Sequence, residues 1–131
     1  LVVVDHFGLI LRPGKRKDDE ESREIAHALK RLAQSLHQPV LCLSQLNRDP
    51  EKRLDKRPML ADLRATGAME EDADGVIFIH RPDRYQPDYK REPGAPEATE
   101  VILAKNRHGS TGTINLSFWP ETNTFNPAYV E

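Results

Sequence analysis

Apolar runs alternate with strongly polar stretches along this 131-residue chain, and their spacing predicts most of the secondary structure. Leu1–Val4 and Val40–Leu43 are short and apolar throughout, which is typical of strands buried on both faces. Between them, apolar side chains from Ile25 to Leu36 recur at the spacing of one helix face and predict a helix over Asp19–Leu36. Two such strands joined by a helix predict a βαβ unit with parallel strands and a right-handed crossover.

The second half of the chain has the pattern of strands and loops. Gly75–His80 predicts a third strand, and two alternating segments, Ala98–Lys105 and Thr113–Trp119, predict a β-hairpin around the turn residues between them. We expect short helical turns over 60–69, polar loops over 47–59 and 81–96 (the second long and mobile), and a surface strap after 120. The predicted fold is therefore α/β, one domain over residues 1–131, with a mixed sheet that has a parallel centre and a C-terminal antiparallel β-hairpin.

Composition excludes some classes of protein. Charged residues make up 31% of the chain but the net charge is −2, so whole-chain charge argues neither for nor against a nucleic-acid partner. The single cysteine, Cys42, predicts a buried thiol, no disulfide within the chain and a cytoplasmic protein. No apolar run approaches the roughly 18 residues of a membrane span, and the five histidines lack the spacing of zinc ligands.

Polar side chains follow three of the predicted strands. Asp5, Gln45 and His80 lie at or just past strand ends, where open α/β sheets bind ligands, so we expect them along one rim. An acid after an apolar strand is typical of a Walker B element, which holds Mg²⁺ through water beside a nucleotide's phosphates; a turn or capping role is the alternative. Gln45 could reach a γ-phosphate or its attacking water, or could be an ordinary turn residue.

A Walker B acid needs a phosphate loop, and the chain contains no Gly-x-x-x-x-Gly-Lys-Ser/Thr sequence. Either the chain is not a P-loop protein, or the loop lies upstream of Leu1. The start of the chain within a predicted strand favours the second interpretation.

Two groups of basic residues could bind anions. Lys105 and Arg107 are two positions apart, so on a strand they would point the same way and could reach one phosphate on a neighbouring subunit, with Arg107 as an arginine finger. A charged edge strand is the alternative. Asp62–Gly67 and the basic loop before it could bind a nucleic-acid backbone or form only a solvated charged loop; the basic residues of that loop are Arg48, Lys52, Arg53, Lys56 and Arg57.

Taken together, these stretches resemble the C-terminal motor domain of DnaB-type replicative DNA helicases, collinearly and over nearly the whole chain. The matching segments are "LVVVD", "LSQLNR", "DLRATGAMEEDAD", "VIFIHR" and "AKNRHGSTGTINLSF". The resemblance implies part of a RecA-like P-loop NTPase core that uses ATP and Mg²⁺. It also implies a homohexameric ring that moves 5′→3′ on single-stranded DNA and unwinds the duplex at the replication fork, with primase and a helicase loader as possible partners.

The resemblance also implies roles for individual residues. Asp5 resembles the Walker B acid, Gln45 the γ-phosphate sensor, and Lys105, Asn106 and Arg107 the residues that reach the ATP of the neighbouring subunit. The residues that resemble the DNA-gripping loop of the central channel are Arg64, Ala65 and Gly67, and Arg12–Lys17 resembles a second channel loop. Two positions depart from the family. His6 stands where tyrosine is usual. Ala65 stands where an acid is common, so at Ala65 only the backbone could make contacts.

Other interpretations remain open. A RadA-like or phage-type RecA-fold DNA motor would share the core, although "LSQLNR" favours the replicative helicase. A non-catalytic remnant that binds DNA or a partner would account for the missing phosphate loop. In either case, we expect this chain alone not to hydrolyse ATP.

Overall fold

The computed structural model describes residues 1–10, 19–47, 52–63 and 66–128. The chain divides into two compact units, one made of 1–48 and 60–73 and the other of 49–59 and 74–131. The strands are β1 (Val2–Val4), β2 (Val40–Cys42), β3 (Gly75–His80), β4 (Glu97–Asn106), β5 (Gly112–Trp119) and β6 (Thr124–Pro127). The α-helices are α1 (Asp19–Leu36) and α2 (Thr66–Asp72), and single 3₁₀ turns occupy Phe7–Leu9, Leu60–Asp62 and Pro82–Tyr85.

The first unit contains the predicted βαβ arrangement. β1 and β2 pair in parallel, with Val2 opposite Val40 and Val4 opposite Cys42, and α1 spans the residues that its periodicity predicts. The helix stops just before Gln38-Pro39, because proline has no N–H to continue the helical hydrogen bonds. α1 packs against α2, where His27 Nδ1 lies 2.6 Å from Asp72 Oδ2.

The burial predicted for the two parallel strands is wrong on one face. Val3 and Leu41, which lie opposite each other, are 56% and 48% exposed, whereas Val4 and Cys42 are half-buried. Successive side chains of a strand point to opposite faces, so one face of this pair is partly covered and the other is open. The expectation of burial on both faces assumed a second covering layer, and the described part of this unit places none over Val3 and Leu41.

The second unit is a four-stranded antiparallel sheet in the order β3-β4-β5-β6. The predicted hairpin is present as β4 and β5, and β3 has the predicted bounds. The segment after Pro120, predicted as a surface strap, instead forms β6 along β5, with the tilted rings of Phe118 and Phe125 in contact at 4.7 Å between centroids. The parallel and antiparallel parts of the predicted fold are thus both present, and their hydrogen bonds form two sheets.

One irregularity in the second sheet affects which way side chains point. Val76 lies opposite Lys105, but the next residue, Ile77, lies opposite Leu103. Ala104 therefore has no opposite residue on β3, which is the arrangement of a β-bulge. The bulge lies just before the basic end of β4.

The connection between β3 and β4 is more ordered than the mobile loop that its prolines predict. It begins with a 3₁₀ turn, and its arginines converge on the buried carboxylate of Glu97, the first residue of β4. The contacts to Glu97 are Arg84 Nε (2.9 Å) and Nη2 (3.0 Å), Arg81 Nη1 (3.1 Å) and Arg91 Nε (3.9 Å). The hydrogen bond from Arg84, with contributions from Tyr89 and the charge of Arg81, lowers the pKa of Glu97 from 4.5 to about 2. Sequence spacing does not show which carboxylate these arginines reach.

None of the helices in the described ranges is long and apolar enough to cross a lipid bilayer.

Candidate functional site

The carboxyl ends of β1 and β2 lie side by side, and backbone hydrogen bonds extend their pairing beyond the strands. The N–H of Leu43 donates to the Val4 carbonyl at 2.9 Å, and the N–H of Phe7 donates to the Leu43 carbonyl at 2.8 Å. The Phe7 side chain is only 2% exposed and fixes this segment in the core. Asp5 lies between Val4 and Phe7, so its backbone position is set by these contacts.

Asp5 and Gln45 leave the sheet at this common edge. Both side chains are exposed, so a ligand can approach them from solvent. One carboxylate suits Mg²⁺, which keeps several waters and takes few protein ligands beside a phosphate. The Gln45 amide can donate to a phosphate oxygen without adding charge. This edge of the parallel pair therefore fits the predicted Walker B and sensor positions, although the roles of these residues remain predictions.

His80 belongs to the second unit and not to the parallel pair, so its predicted place on one rim with Asp5 and Gln45 stays a prediction. It is the last residue of β3 in the antiparallel sheet and is 7% exposed. Its ring stacks on Tyr85, with 5.5 Å between the ring centroids. Burial lowers the pKa of His80 and so favours the neutral form of this packed ring. Its position at a strand end in the sequence did not reveal that β3 runs in a different sheet.

The predicted anion-binding residues of β4 lie at the strand's end and in the turn that follows. Asn106 organises this turn: its Nδ2 donates to the Ser110 carbonyl at 3.1 Å, and its Oδ1 accepts from the His108 N–H at 3.2 Å. A Cβ at Gly109 would lie 3.0 Å from Asn106 Nδ2, so a side chain there would press on the amide that holds this turn. Lys105 precedes this turn and is half-buried.

Arg107 is held by Asp74, the residue that precedes β3. The Arg107 N–H donates to the Asp74 carbonyl at 2.7 Å, and Arg107 Nη1 donates to Asp74 Oδ1 at 3.0 Å. Both side chains are about half-exposed. Sequence reasoning missed Asp74. Its position follows from the register of β3 with β4: Gly75 lies opposite Asn106, so Asp74 must face Arg107.

The predicted DNA-gripping residues are only partly described. Arg64, Ala65 and the loop Arg12–Lys17 lie outside the described residues, and Gly67 is the second residue of α2. The residues just before Arg64 make defined backbone contacts. Leu46 and Leu63 form an antiparallel bridge, and the Asn47 N–H donates to the Asp62 carbonyl at 2.9 Å. The residues after Gln45 are thus bonded directly to those before Arg64.

Two arginines of the predicted basic loop, Arg53 and Arg57, form hydrogen bonds within the chain. Arg57 makes a bidentate contact with Glu100 of β4, which raises the pKa of Arg57. Arg53 Nη2 donates to the Arg57 carbonyl at 2.9 Å. These contacts favour the interpretation of this part of the loop as a structural charged loop and leave Arg64 as the stronger candidate for a DNA contact.

Comparison with known proteins decides the family. The profile of the DnaB-like helicase C terminal domain matches residues 1–127. The chain belongs to this family. It is similar to the replicative DNA helicase DnaB of Geobacillus stearothermophilus, with 42% identity over 127 residues that cover 95% of this chain and 27% of that protein. It is also similar to DnaB of Mycobacterium leprae, with 48% identity over 119 residues that cover 89% of this chain and 19% of that protein.

Solved structures of related proteins have the same fold. One is an ATPase domain, which superimposes with a TM-score of 0.82 and 39% identity, over 98% of this chain and 44% of that chain. A DnaB-like replicative helicase studied with its primase interactions superimposes with a TM-score of 0.81 and 39% identity, over 98% of this chain and 31% of that chain. The predicted partial RecA-like α/β fold of a DnaB-type domain is confirmed, and this chain spans 27% of the Geobacillus relative.

Proposed function

We propose that this DnaB-like chain supplies the Walker B, sensor and trans-acting parts of an ATP-dependent replicative DNA helicase. The main support is the common edge at which Asp5 and Gln45 leave two parallel strands, because a nucleotide-dependent motor needs an acid and a sensor beside the same phosphates. In the full-length protein, we propose a homohexameric ring that moves 5′→3′ on single-stranded DNA in the cytoplasm. Primase and a helicase loader are the proposed protein partners.

At the nucleotide, Asp5 would hold Mg²⁺ through water, and the metal would neutralise charge on the phosphates of ATP. Gln45 would contact the γ-phosphate or orient the attacking water through its neutral amide. Because these contacts exist only while the γ-phosphate is present, hydrolysis would change the hydrogen bonds of Gln45. The residues that bind the other phosphates would precede Leu1 in the full-length protein.

Arg107 would act on the ATP of the neighbouring subunit. A head-to-tail ring brings one surface of each subunit against a different surface of the next, so an exposed arginine can complete the neighbour's site. A guanidinium fork binds phosphate oxygens bidentately and stabilises the charge of the transition state. Lys105 would add positive charge, and Asn106 would shape the turn that presents Arg107.

DNA would contact Arg64, Gly67 and the backbone of Ala65. The bridge between Leu46 and Leu63 supports a direct link from the sensor to this loop, since a displacement after Gln45 would be passed on through two short backbone contacts. A cycle of ATP binding and hydrolysis could thereby alternate the grip on single-stranded DNA.

Mixed rings of the full-length protein test the trans arrangement. Asp5→Asn and Arg107→Ala subunits should each bind ATP, form hexamers and hydrolyse almost no ATP alone. In a ring with head-to-tail interfaces, random one-to-one mixing gives about one interface in four with an intact acid and an intact arginine, so about a quarter of wild-type turnover should return. Rings that stay inactive on mixing would contradict the trans role. Normal hydrolysis by Arg107→Ala alone would also contradict it, and DNA binding without any ATP turnover by the wild-type protein would favour a non-catalytic protein.

A further inference from the structure

Asp74 and Arg107 form a contact that none of the proposed roles uses. It joins the residue before β3 to the residue after β4 through one backbone and one side-chain hydrogen bond, at 2.7 Å and 3.0 Å. We propose that Asp74 is a positioning residue that fixes the Arg107 guanidinium for the ATP of the neighbouring subunit. This inference rests on the proposed trans role of Arg107.

The two hydrogen bonds have separate consequences. The backbone bond continues the β3–β4 pairing by one residue beyond Gly75 and Asn106 and so fixes the Arg107 main chain. The carboxylate contact restricts the long, flexible arginine side chain, which has many rotamers when free. A substitution of the Asp74 side chain therefore removes the second restraint and leaves the first in place.

The chemistry of a guanidinium is compatible with two anions bound at once. A guanidinium has five N–H donors in a planar fork, and the side-chain bond to Asp74 uses Nη1. A guanidinium therefore has enough donors to bind a phosphate and a carboxylate at the same time. Such support from a neighbouring group is the usual way in which a reactive arginine is kept near its productive position.

Because the Asp74–Arg107 pair is half-exposed, we infer that it orients the Arg107 side chain and does not stabilise the fold. The two side chains are 45% and 48% exposed, and ion pairs this exposed contribute little to the free energy of unfolding. The same small energy, applied to the orientation of a catalytic arginine, would appear in kcat. We expect about a fivefold fall in kcat for Asp74→Asn, which corresponds to about 1 kcal/mol at 1.36 kcal/mol per tenfold.

Steady-state ATP hydrolysis by the full-length hexamer tests this inference. Asp74→Asn should lower kcat about fivefold, with KM for ATP within about twofold of wild type, because the arginine acts on the transition state. Asp74→Glu keeps the charge and should recover most of the rate. Glu121→Gln is the matched control, since the Arg91–Glu121 ion pair has a similar exposure, joins two loops of the same unit and has no proposed role in hydrolysis. It should leave kcat unchanged.

A double-mutant cycle separates positioning from an independent effect. In an Arg107→Ala background, measured at protein concentrations that resolve the residual rate, Asp74→Asn should cause no further loss. An additional fivefold loss in that background would overturn the inference. A rise in kcat for the single Asp74→Asn variant would also overturn it, because it would mean that the carboxylate competes with phosphate for Arg107. If Arg107→Ala itself leaves hydrolysis intact, the proposed trans role fails. If Arg107→Ala is inactive and Asp74→Asn is fully active, only the positioning role fails.

Discussion

Leu46 and Leu63 pair in an antiparallel bridge, and this contact joins the segment after Gln45 to the segment before Arg64. A second backbone bond, from the Asn47 N–H to the Asp62 carbonyl, strengthens the junction. Asp62 is only 2% exposed, so the receiving segment is fixed in the protein interior. A change at Gln45, the proposed nucleotide sensor, therefore has a short and rigid path to the proposed DNA loop.

Asn47→Pro should uncouple DNA binding from ATP hydrolysis. Proline removes the N–H that donates to Asp62, so single-stranded DNA should no longer stimulate the full-length ATPase by more than about a tenth of the wild-type stimulation. Basal hydrolysis and ATP binding should change little. Asn47→Ala keeps the N–H and is the control. Equal stimulation in the proline and alanine variants would show that this backbone bond does not transmit the signal.

Arg64→Ala should weaken binding to single-stranded DNA regardless of sequence, because a phosphate contact is electrostatic. The slope of log K against log salt should fall by about 1, the value for one lost contact. Fluorescence anisotropy at several salt concentrations measures this slope. Arg23→Ala, an exposed substitution on α1, should leave it unchanged. A full-length Arg64 variant with the wild-type slope would remove Arg64 from the DNA contacts.

Glu97→Gln should destabilise the second unit, with a specific pH dependence. The pKa of Glu97 is lowered from 4.5 to about 2, first by its hydrogen bond from Arg84. A lowered pKa means that the stabilisation is fully present above pH 4.5 and is lost as the pH falls towards 2. Loss of the charged hydrogen bonds should cost about 1–3 kcal/mol near neutral pH.

Urea unfolding followed by the fluorescence of Trp119 measures this effect between pH 2 and 7. The difference between wild type and Glu97→Gln should be constant above about pH 5 and shrink at lower pH. Glu92→Gln, an exposed substitution in the same loop, controls for the loss of a surface charge. A Glu97 difference that does not depend on pH would contradict the ionised cluster.

The 131-residue polypeptide by itself should hydrolyse no ATP above background. It contains Asp5 and Gln45 but no Gly-x-x-x-x-Gly-Lys-Ser/Thr sequence to bind the phosphates. A phosphate-release assay with Mg²⁺ and single-stranded DNA measures the rate. Turnover that disappears in an Asp5→Asn control would mean that this chain has its own phosphate-binding residues.

Local periodicity was enough to predict the elements whose formation depends mainly on nearby residues. α1 has one apolar face and a proline three residues after its end, and β3 is a clear apolar run, so both have the predicted bounds. β6 was missed because Thr124–Pro127 is short and exposed, and its strand conformation depends on pairing with β5. Burial of β1 and β2 was overestimated for a related reason, since periodicity reveals an apolar face but not what covers it.

Only part of the candidate site could be predicted from the sequence. Asp5 and Gln45 could be placed together because parallel strands end at the same edge of a sheet, which is a general rule. His80 and Asp74 could not be placed in the same way, because their surroundings depend on which sheet β3 joins and on its register with β4. These are long-range properties that one sequence does not contain in a local pattern.

The bulge at Ala104 gives β4 one residue more than its pairing with β3 requires, just before its basic turn. Leu103 lies opposite Ile77 and Lys105 lies opposite Val76, which are neighbours on β3, so both pairs would stay in register without Ala104. A deletion at this position would therefore straighten the ladder and leave the basic turn in place. Between Asn106 and Ser110 no residue is spare, because the side chain of Asn106 spans that turn. Differences in length among related chains should therefore occur at the bulge and not in the turn.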